Sequence, residues 1–307
     1  MTNVFIDGSA GTTGLRIADR LADRSDLELI KLPEEFRKDT AARKEAINSA
    51  DMVFLCLPDG AAMEAVGLLD NPHTTVIDTS TAHRTAPGWD YGFPELSGRR
   101  EHIAGSHRIA NPGCHASGFI ALVAPLVQAG LLKADAALSC FSLTGYSGGG
   151  KGMIAGYNDP ERSPLLDAPR QYGLTQQHKH LPEMAAICGL DNAPLFCPVV
   201  ADFYSGMEVT VPLFAHQLTG TAADVAEVYR QIYTGPVVHF DEAAGEEGFL
   251  SAAAFQGRDD MQIALAGNAD RLLLIARYDN LGKGASGAAI QNMNIRLGVE
   301  ETTGLQV

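Results

Sequence analysis

Residues 1–24 read MTNVFIDGSAGTTGLRIADRLADR. Val4 to Ile6 make a short apolar run of the kind a buried strand needs, and Leu15, Ala18, Leu21 and Ala22 then recur on one helical face. Between them lies a turn with Gly8, Gly11 and Gly14, and with Ser9 and Thr12 inside it. Glycines let the main chain approach a ligand with no Cβ in the way. The N–H groups that open the following helix face an anion such as a pyrophosphate. The spacing departs from the usual G-x-G-x-x-G, and tight strand–helix packing is the alternative reading of the same glycines.

Working outward, the alternation continues. LELIKL (27–32), MVFLCL (52–57) and TTVIDTS (74–80) read as strands, and AARKEAINSA (41–50) and GAAMEAVGLL (60–69) as helices. A βαβα series predicts an α/β fold, a Rossmann-like doubly wound parallel sheet with its ligand crevice at the carboxyl ends of the strands. The candidates at that edge are the Gly8–Gly14 turn, Leu57 to Asp59, and Thr79 to Thr81 with Ser80 between them. After the second strand come Lys31, Arg37 and Lys38, which suit the 2′-phosphate of NADP better than the ribose hydroxyl of NAD. Solvated loop charges, or Glu34 and Glu35 on a hydroxyl, are the competing readings.

Composition sets the outer limits. The chain has 307 residues, 46% of them hydrophobic and 20% charged, with a net charge of −14. Such acidity argues against binding nucleic acid or an anionic membrane, which needs a basic surface. Five cysteines, an odd number with no metal-ligand spacing, predict neither a disulfide framework nor a metal site. With no signal-peptide pattern and no apolar run of about 18 residues, the expected location is the cytoplasm.

One cysteine stands apart. Asn111-Pro-Gly-Cys114 is a turn, and Phe119, Ile120, Leu122, Val123, Leu126, Val127 and Leu131 then follow at helical spacing. Cys114 therefore stands at or just before a helix N-terminus, whose dipole favours a thiolate nucleophile. A small buried apolar residue is the other reading, and it suits Cys56, Cys188 and Cys197, which lie in apolar segments. A thiol nucleophile of this type needs a proton shuttle. In QQHKHLPEM (176–184), two histidines and Glu183 fall close together. Glu183 would orient His178, although spacing alone does not choose between His178 and His180. FSLTGYSGGGKG (141–152) is another glycine cluster, whose small residues, Gly148 among them, could line a site for an anionic group with Lys151; a flexible loop is the alternative reading.

From residue 114 onward, longer strand-like runs appear: ALSCFSLTG, LFCPVV, GMEVTVPLF, MQIALAG and RLLLIARY. They predict an α+β domain with a mostly antiparallel sheet. The last segment, with Ala285, Ala288, Ala289 and Ile295 on one stripe, is expected to pack back on the nucleotide domain. The predicted organisation is 1–113 with 278–307 as the NADP-binding domain, and 114–277 as the catalytic and oligomerisation domain.

Six segments together resemble the N-acetyl-γ-glutamyl-phosphate reductases, the shorter subgroup in particular. They are GSAGTTG (8–14), DTSTAHR (78–84), NPGC (111–114), SGGGKG (147–152), HKHLPE (178–183) and DNLGKGASGAAIQNMN (279–294). The resemblance spans nearly the whole chain and implies a domain pair of the semialdehyde-dehydrogenase type. It makes Cys114 the nucleophile and His178 the acid/base, and it puts Glu183 and Tyr172 around them and Asn280 to Gly284 near the nicotinamide. The implied reaction is NADPH-dependent reduction of a small acyl phosphate, N-acetyl-L-glutamyl 5-phosphate, to the semialdehyde in arginine biosynthesis. The strand-rich second half predicts a homo-oligomer, a homodimer or homotetramer. Arg84, Arg108, Lys151 and Lys283 lie in or near matched motifs and are the candidate anion binders. The family motif continues after the cysteine with an aromatic residue and Pro-Thr, where this chain has His115-Ala116-Ser117. The alternatives are an aspartate-semialdehyde or aminoadipyl-phosphate enzyme, or a nucleotide-binding redox sensor that uses Cys114 as a switch.

Overall fold

The opening stretch forms strand β1 (Thr2–Asp7) and helix α1 (Thr12–Leu21) on either side of the glycine turn in the computed structural model, which describes all 307 residues. The series continues through β2 (Leu27–Ile30), α2 (Thr40–Ser49), β3 (Met52–Leu55), α3 (Asp59–Gly67) and β4 (Thr75–Asp78). Asp39 caps α2 by accepting from the Ala42 N–H at 2.8 Å. Then come β5 (Asp90–Tyr91), α4 (Arg99–Gly105) and β6 (Arg108–Ala110), which are too short to show a period in the sequence. The sheet runs β2-β1-β3-β4-β6-β5, and every pair is parallel. All four residues of β3 and of β4 are buried, as a parallel sheet covered on both faces requires. Because β2 and β3 lie on opposite sides of β1, the strand order reverses there, and the crevice opens at the carboxyl ends of β1 and β3.

The chain divides into two compact units. One comprises Met1–Pro94, Gly98–Gly113 and Ala285–Leu305, and the other Glu95–Ser97, Cys114–Gly284 and Gln306–Val307. The second unit begins with α5 (Cys114–Gln128) and β7 (Ser139–Gly145). The SGGGKG segment is not a loop. It forms a 3₁₀ turn (Tyr146–Gly149) that runs into α6 (Gly150–Asn158). β8 (Arg170–Gln171), α7 (Leu181–Cys188), β9 (Leu195–Ala201), β10 (Met207–Phe214), α8 (Ala222–Ile232), β11 (Val238–Phe240), β12 (Met261–Gly267) and β13 (Arg271–Tyr278) complete it. Its sheet runs β11-β12-β13-β10-β7-β9-β8. Only β11–β12 and β7–β9 are parallel pairs.

Register sorts the two faces of this sheet. Val209 and Ala276 pair and are buried, as is every second residue along β10. The opposite face carries Phe141, Leu195, Phe214 and Leu273, which are 51%, 57%, 56% and 40% exposed.

After β13 the chain stays in the second unit to Gly284, because Asp279 and Asn280 are tied there. Asp279 accepts from Ser205 Oγ at 2.9 Å and from the Gly257 N–H at 2.6 Å, and Asn280 accepts from the Gly206 N–H at 2.9 Å. The terminal helix α9 (Gly287–Leu297) then belongs to the first unit. It has no single apolar stripe. Gly287 to Ile295 are all buried, and Ala285 is half-buried in the π turn (Gly282–Ser286) before it. The amide donors along it are bonded: Gln291 donates to Glu301, Asn292 to the Gly92 carbonyl oxygen, and Asn294 to those of Glu301 and Thr303.

Candidate active site

Cys114 is the first residue of the 15-residue helix α5, and it is half-buried. Pro112 and Gly113 end the extended run after β6, and the continuous buried stretch from His115 to Leu126 seats the helix in the core. The first-turn N–H groups of an α-helix lack partners within the helix, which is why a helix start suits a developing oxyanion. The helix dipole favours a thiolate at the same end. Burial pushes the Cys56 thiol up to about 12 and raises those of Cys140 and Cys188 as well. Those three are held as neutral thiols.

A side chain from β13 holds this first turn. Tyr278 Oη donates to the Cys114 carbonyl oxygen at 2.5 Å and accepts from the Gly118 N–H at 3.0 Å. These are the two backbone groups that an α-helix pairs with each other. A Cβ on residue 118 would stand 2.6 Å from Tyr278 Oη and 2.7 Å from Val209 Cγ2, so only glycine fits. Burial, reinforced by charge at Cys114, pushes the Tyr278 phenol well above its ordinary range and keeps it a donor.

His115, next to Cys114, lies among the imidazoles. Its Nδ1 is 2.6 Å from Ser142 Oγ and its Nε2 is 2.6 Å from Tyr172 Oη. Its ring centroid lies 5.7 Å from that of His178, 5.6 Å from His180 and 5.3 Å from Phe196. Burial, with the nearby His178 adding to it, lowers His115 to about 3, so the ring is neutral and bonds one neighbour through a donor and the other through an acceptor. Burial, reinforced by charge at Cys114, raises Tyr172.

The structure separates the two histidines that spacing left open. His180 is buried at the N-cap of α7, whereas His178 is half-buried. His178 Nδ1 accepts from the His180 N–H at 3.2 Å. Glu183 is buried in the first turn of α7, and Tyr172 stands with its ring 6.2 Å from His178. Cys114, His115, Tyr172, His178 and Glu183 therefore all belong to one unit.

The glycine turn belongs to the other unit. Gly8 has φ +87°, and a Cβ there would stand 2.3 Å from the Cys56 carbonyl oxygen; one on Gly14 would stand 2.5 Å from the Gly8 carbonyl oxygen. Gly11 is the N-cap of α1 and provides no side-chain cap, so the helix presents bare N–H groups beside Ser9 and Thr12. This cradle fits the pyrophosphate of a dinucleotide. Arg37 and Lys38 are exposed after β2, the strand beside β1. Ser80 faces inward at the end of β4: its Oγ donates to Asp78 Oδ2 at 2.7 Å, the oxygen that His83 Nδ1 meets at 2.6 Å.

The remaining predicted residues are dispersed. Gly148 and Asn280 are neighbours in the second unit, where Asn280 Nδ2 also donates to Ser147 Oγ at 3.0 Å. Lys151 is exposed on α6. Arg84 is buried and donates to the carbonyl oxygens of Asn111 and Thr79. Arg108 opens β6, at the edge of the sheet opposite the glycine turn, with its guanidinium on the Thr74 and His107 carbonyl oxygens. Lys283 is fully buried in an ion pair with Glu95 at 2.8 Å. Sequence reading missed His115, Ser142, Phe196 and Tyr278. His115 alone carried a signal, as a polar side chain inside an apolar helix that must find buried partners.

Residues 31–106 match the family model described as the semialdehyde dehydrogenase NAD binding domain, and residues 114–280 match the semialdehyde dehydrogenase dimerisation domain. The chain is 46% identical over 312 residues to N-acetyl-gamma-glutamyl-phosphate reductase 2 of Pseudomonas putida, covering 98% of each chain. It is 47% identical over 306 residues to N-acetyl-gamma-glutamyl-phosphate reductase of Brucella ovis, covering 96% of this chain and 98% of that one. Among solved structures it resembles aspartate semialdehyde dehydrogenase II of Vibrio cholerae, with a TM-score of 0.73 at 16% identity over 97% of this chain and 98% of that one. The aspartate semialdehyde dehydrogenase of Francisella tularensis gives 0.70 at 15%, over 96% and 99%. At such identity these two establish the fold alone.

Proposed function

The chain belongs to the semialdehyde dehydrogenase family, in the branch of the N-acetyl-γ-glutamyl-phosphate reductases, and on that premise we propose how its own residues carry out the reaction. The activity is reduction of N-acetyl-L-glutamyl 5-phosphate to N-acetyl-L-glutamate 5-semialdehyde and phosphate, with NADPH as reductant, a step of arginine biosynthesis. His178 takes the Cys114 proton, and the thiolate attacks the acyl carbonyl carbon. The N–H groups opening α5 stabilise the oxyanion, the carbon–oxygen bond to phosphate breaks, and a thioester remains on Cys114. When bound, the reduced dinucleotide supplies the hydride that converts the thioester carbonyl to an aldehyde. His178 returns a proton to sulfur as the carbon–sulfur bond breaks, and Glu183 keeps the ring oriented. The Gly8–Gly14 turn, with Ser9 and Thr12, would hold the pyrophosphate, and Arg37 and Lys38 the 2′-phosphate. Tyr172 and Lys151 are the side chains we assign to the substrate.

The observation that carries this reading is a half-buried cysteine at a helix start, followed by a buried neutral histidine whose ring contacts reach His178. The test is an oxidation assay with N-acetylglutamate semialdehyde or aspartate semialdehyde, phosphate, and either NADP or NAD. The expected result is turnover of the acetylated aldehyde with NADP at the lower KM. Activity confined to aspartate semialdehyde would reject the assignment.

No helix is long and apolar enough to cross a membrane. We also propose a cytoplasmic homodimer or homotetramer, joined through the exposed apolar face of the β7–β9–β10–β13 sheet. Sedimentation velocity reads that state directly, and a monomer at assay concentration would reject it.

A further inference from the structure

Gln176 is one of two residues other than glycine with a positive φ, +56°. A side chain in that region is strained unless its surroundings hold it there. Here the surroundings are backbone groups: Gln176 Nε2 lies 3.4 Å from the Gly173 carbonyl oxygen, and both polar atoms of its carboxamide meet the backbone of Phe196. Gln176 Nε2 donates to the Phe196 carbonyl oxygen at 2.7 Å, and Gln176 Oε1 accepts from the Phe196 N–H at 2.9 Å.

The reason lies in the sheet. β8 pairs antiparallel with β9, Arg170 opposite Val200 and Gln171 opposite Val199, and the Tyr172 N–H still reaches the Pro198 carbonyl oxygen at 3.0 Å. Val200, Pro198 and Phe196 alternate along β9 and turn their backbone groups to this same edge. Pro198 has no N–H with which to answer, and the chain leaves the ladder at Gly173, which has φ +64°. A turn closes with the Gln176 N–H on the Gly173 carbonyl oxygen at 3.0 Å. The next unpaired edge residue, Phe196, is then served by a side-chain amide in place of main chain.

That substitution frees the backbone to rise off the sheet two residues before His178. The His178 ring lies over Phe196, with centroids 5.0 Å apart, and beside His115. On its other side the segment is fixed where the Leu181 N–H bonds the His178 carbonyl oxygen at 3.0 Å, at the start of α7. We propose that Gln176 is a positioning residue: its carboxamide, bonded to both backbone groups of Phe196, sets where the His178 ring stands. This rests on His178 being the acid/base of the proposed reaction.

The test compares Gln176→Ala, Gln176→Gly and Gln176→Asn with the wild-type chain. Glycine and asparagine tolerate the positive φ better than glutamine does, but neither reaches both Phe196 groups. They carry the test if the alanine variant does not fold. If backbone strain alone mattered, Gly and Asn would behave as wild type. The expected result is a fall in kcat of about tenfold or more in all folded variants with KM within about twofold, since small misplacement of a catalytic group is costly. Proton NMR without substrate should show a nuclear Overhauser contact between the His178 and Phe196 rings in the wild-type chain that is absent from the variants. A kcat within about twofold of wild type, a KM that rises as kcat falls, or a ring contact that persists in the variants would each overturn the proposal. The NMR arm needs no turnover, so it decides the matter even if the N-acetylglutamyl reading fails.

Discussion

At the scale of single residues, the site depends on keeping charge off His115. A histidine that stays neutral in the folded chain while titrating normally when unfolded makes stability depend on pH. The unfolded ring takes up a proton near 6.5 and the native ring only near 3, so between those values the unfolded state holds more protons. Stability contributed by the neutral ring is therefore present above 6.5 and is lost as pH falls toward 3. Between pH 7 and 5 the wild-type chain should lose up to about 2 kcal/mol more than His115→Phe, which keeps a ring but cannot titrate. Urea unfolding of both proteins at the two pH values measures the difference, and parallel losses would show that His115 titrates normally in the native state. Cys114 and the His178 region were legible in the sequence because a turn before an apolar helix, and a cluster of imidazoles, are local patterns. Phe196 and Tyr278 were not, because an aromatic residue in an alternating strand reads as core. Only the register of β9 and β13 brings them to His178 and to the α5 turn.

At the scale of elements, short connections decide what the strands can bind. The Gly8 carbonyl oxygen accepts from the Gly11 N–H at 2.9 Å and leaves no room for a side chain at position 14. In Gly14→Ala the new methyl displaces that turn, so the bare start of α1 no longer fits a pyrophosphate. The expected outcome is a KM for NADP raised by at least about tenfold, with alkylation of Cys114 by iodoacetamide at the wild-type rate. An unchanged KM would place the dinucleotide elsewhere. The βαβ alternation was readable because each element is four residues or longer and each helix has its own apolar face. The SGGGKG segment deceived for the opposite reason: glycine weakens a helix, yet α6 forms there, and Gly150 with φ +71° supplies the bend into it. Among the expected cations, Arg108 opens β6 at the amino ends of the parallel strands, away from the glycine turn, and its nearness in sequence to NPGC gave no sign of that.

At the scale of the whole molecule, the chain makes two separate commitments, a parallel sheet with a glycine cradle and a mixed sheet with a thiol at a helix start. The division of labour was visible in the change from short alternating elements to long strands. The return of α9 to the first unit was visible as an apolar tail, but its burial on all sides was not, since Gln291, Asn292 and Asn294 look like surface until their partners are seen. The proposed reaction requires one covalent event in the second unit, the acylation of Cys114, and intact-protein mass spectrometry would observe it. The chain is incubated with N-acetylglutamate semialdehyde and NADP while phosphate is withheld, and the digest is then mapped. The expected result is a mass increase equal to one N-acetylglutamyl group on the peptide carrying Cys114, discharged when phosphate is added and absent from Cys114→Ser. Sustained turnover with Cys114 unmodified, or the acyl group on another residue, would contradict it.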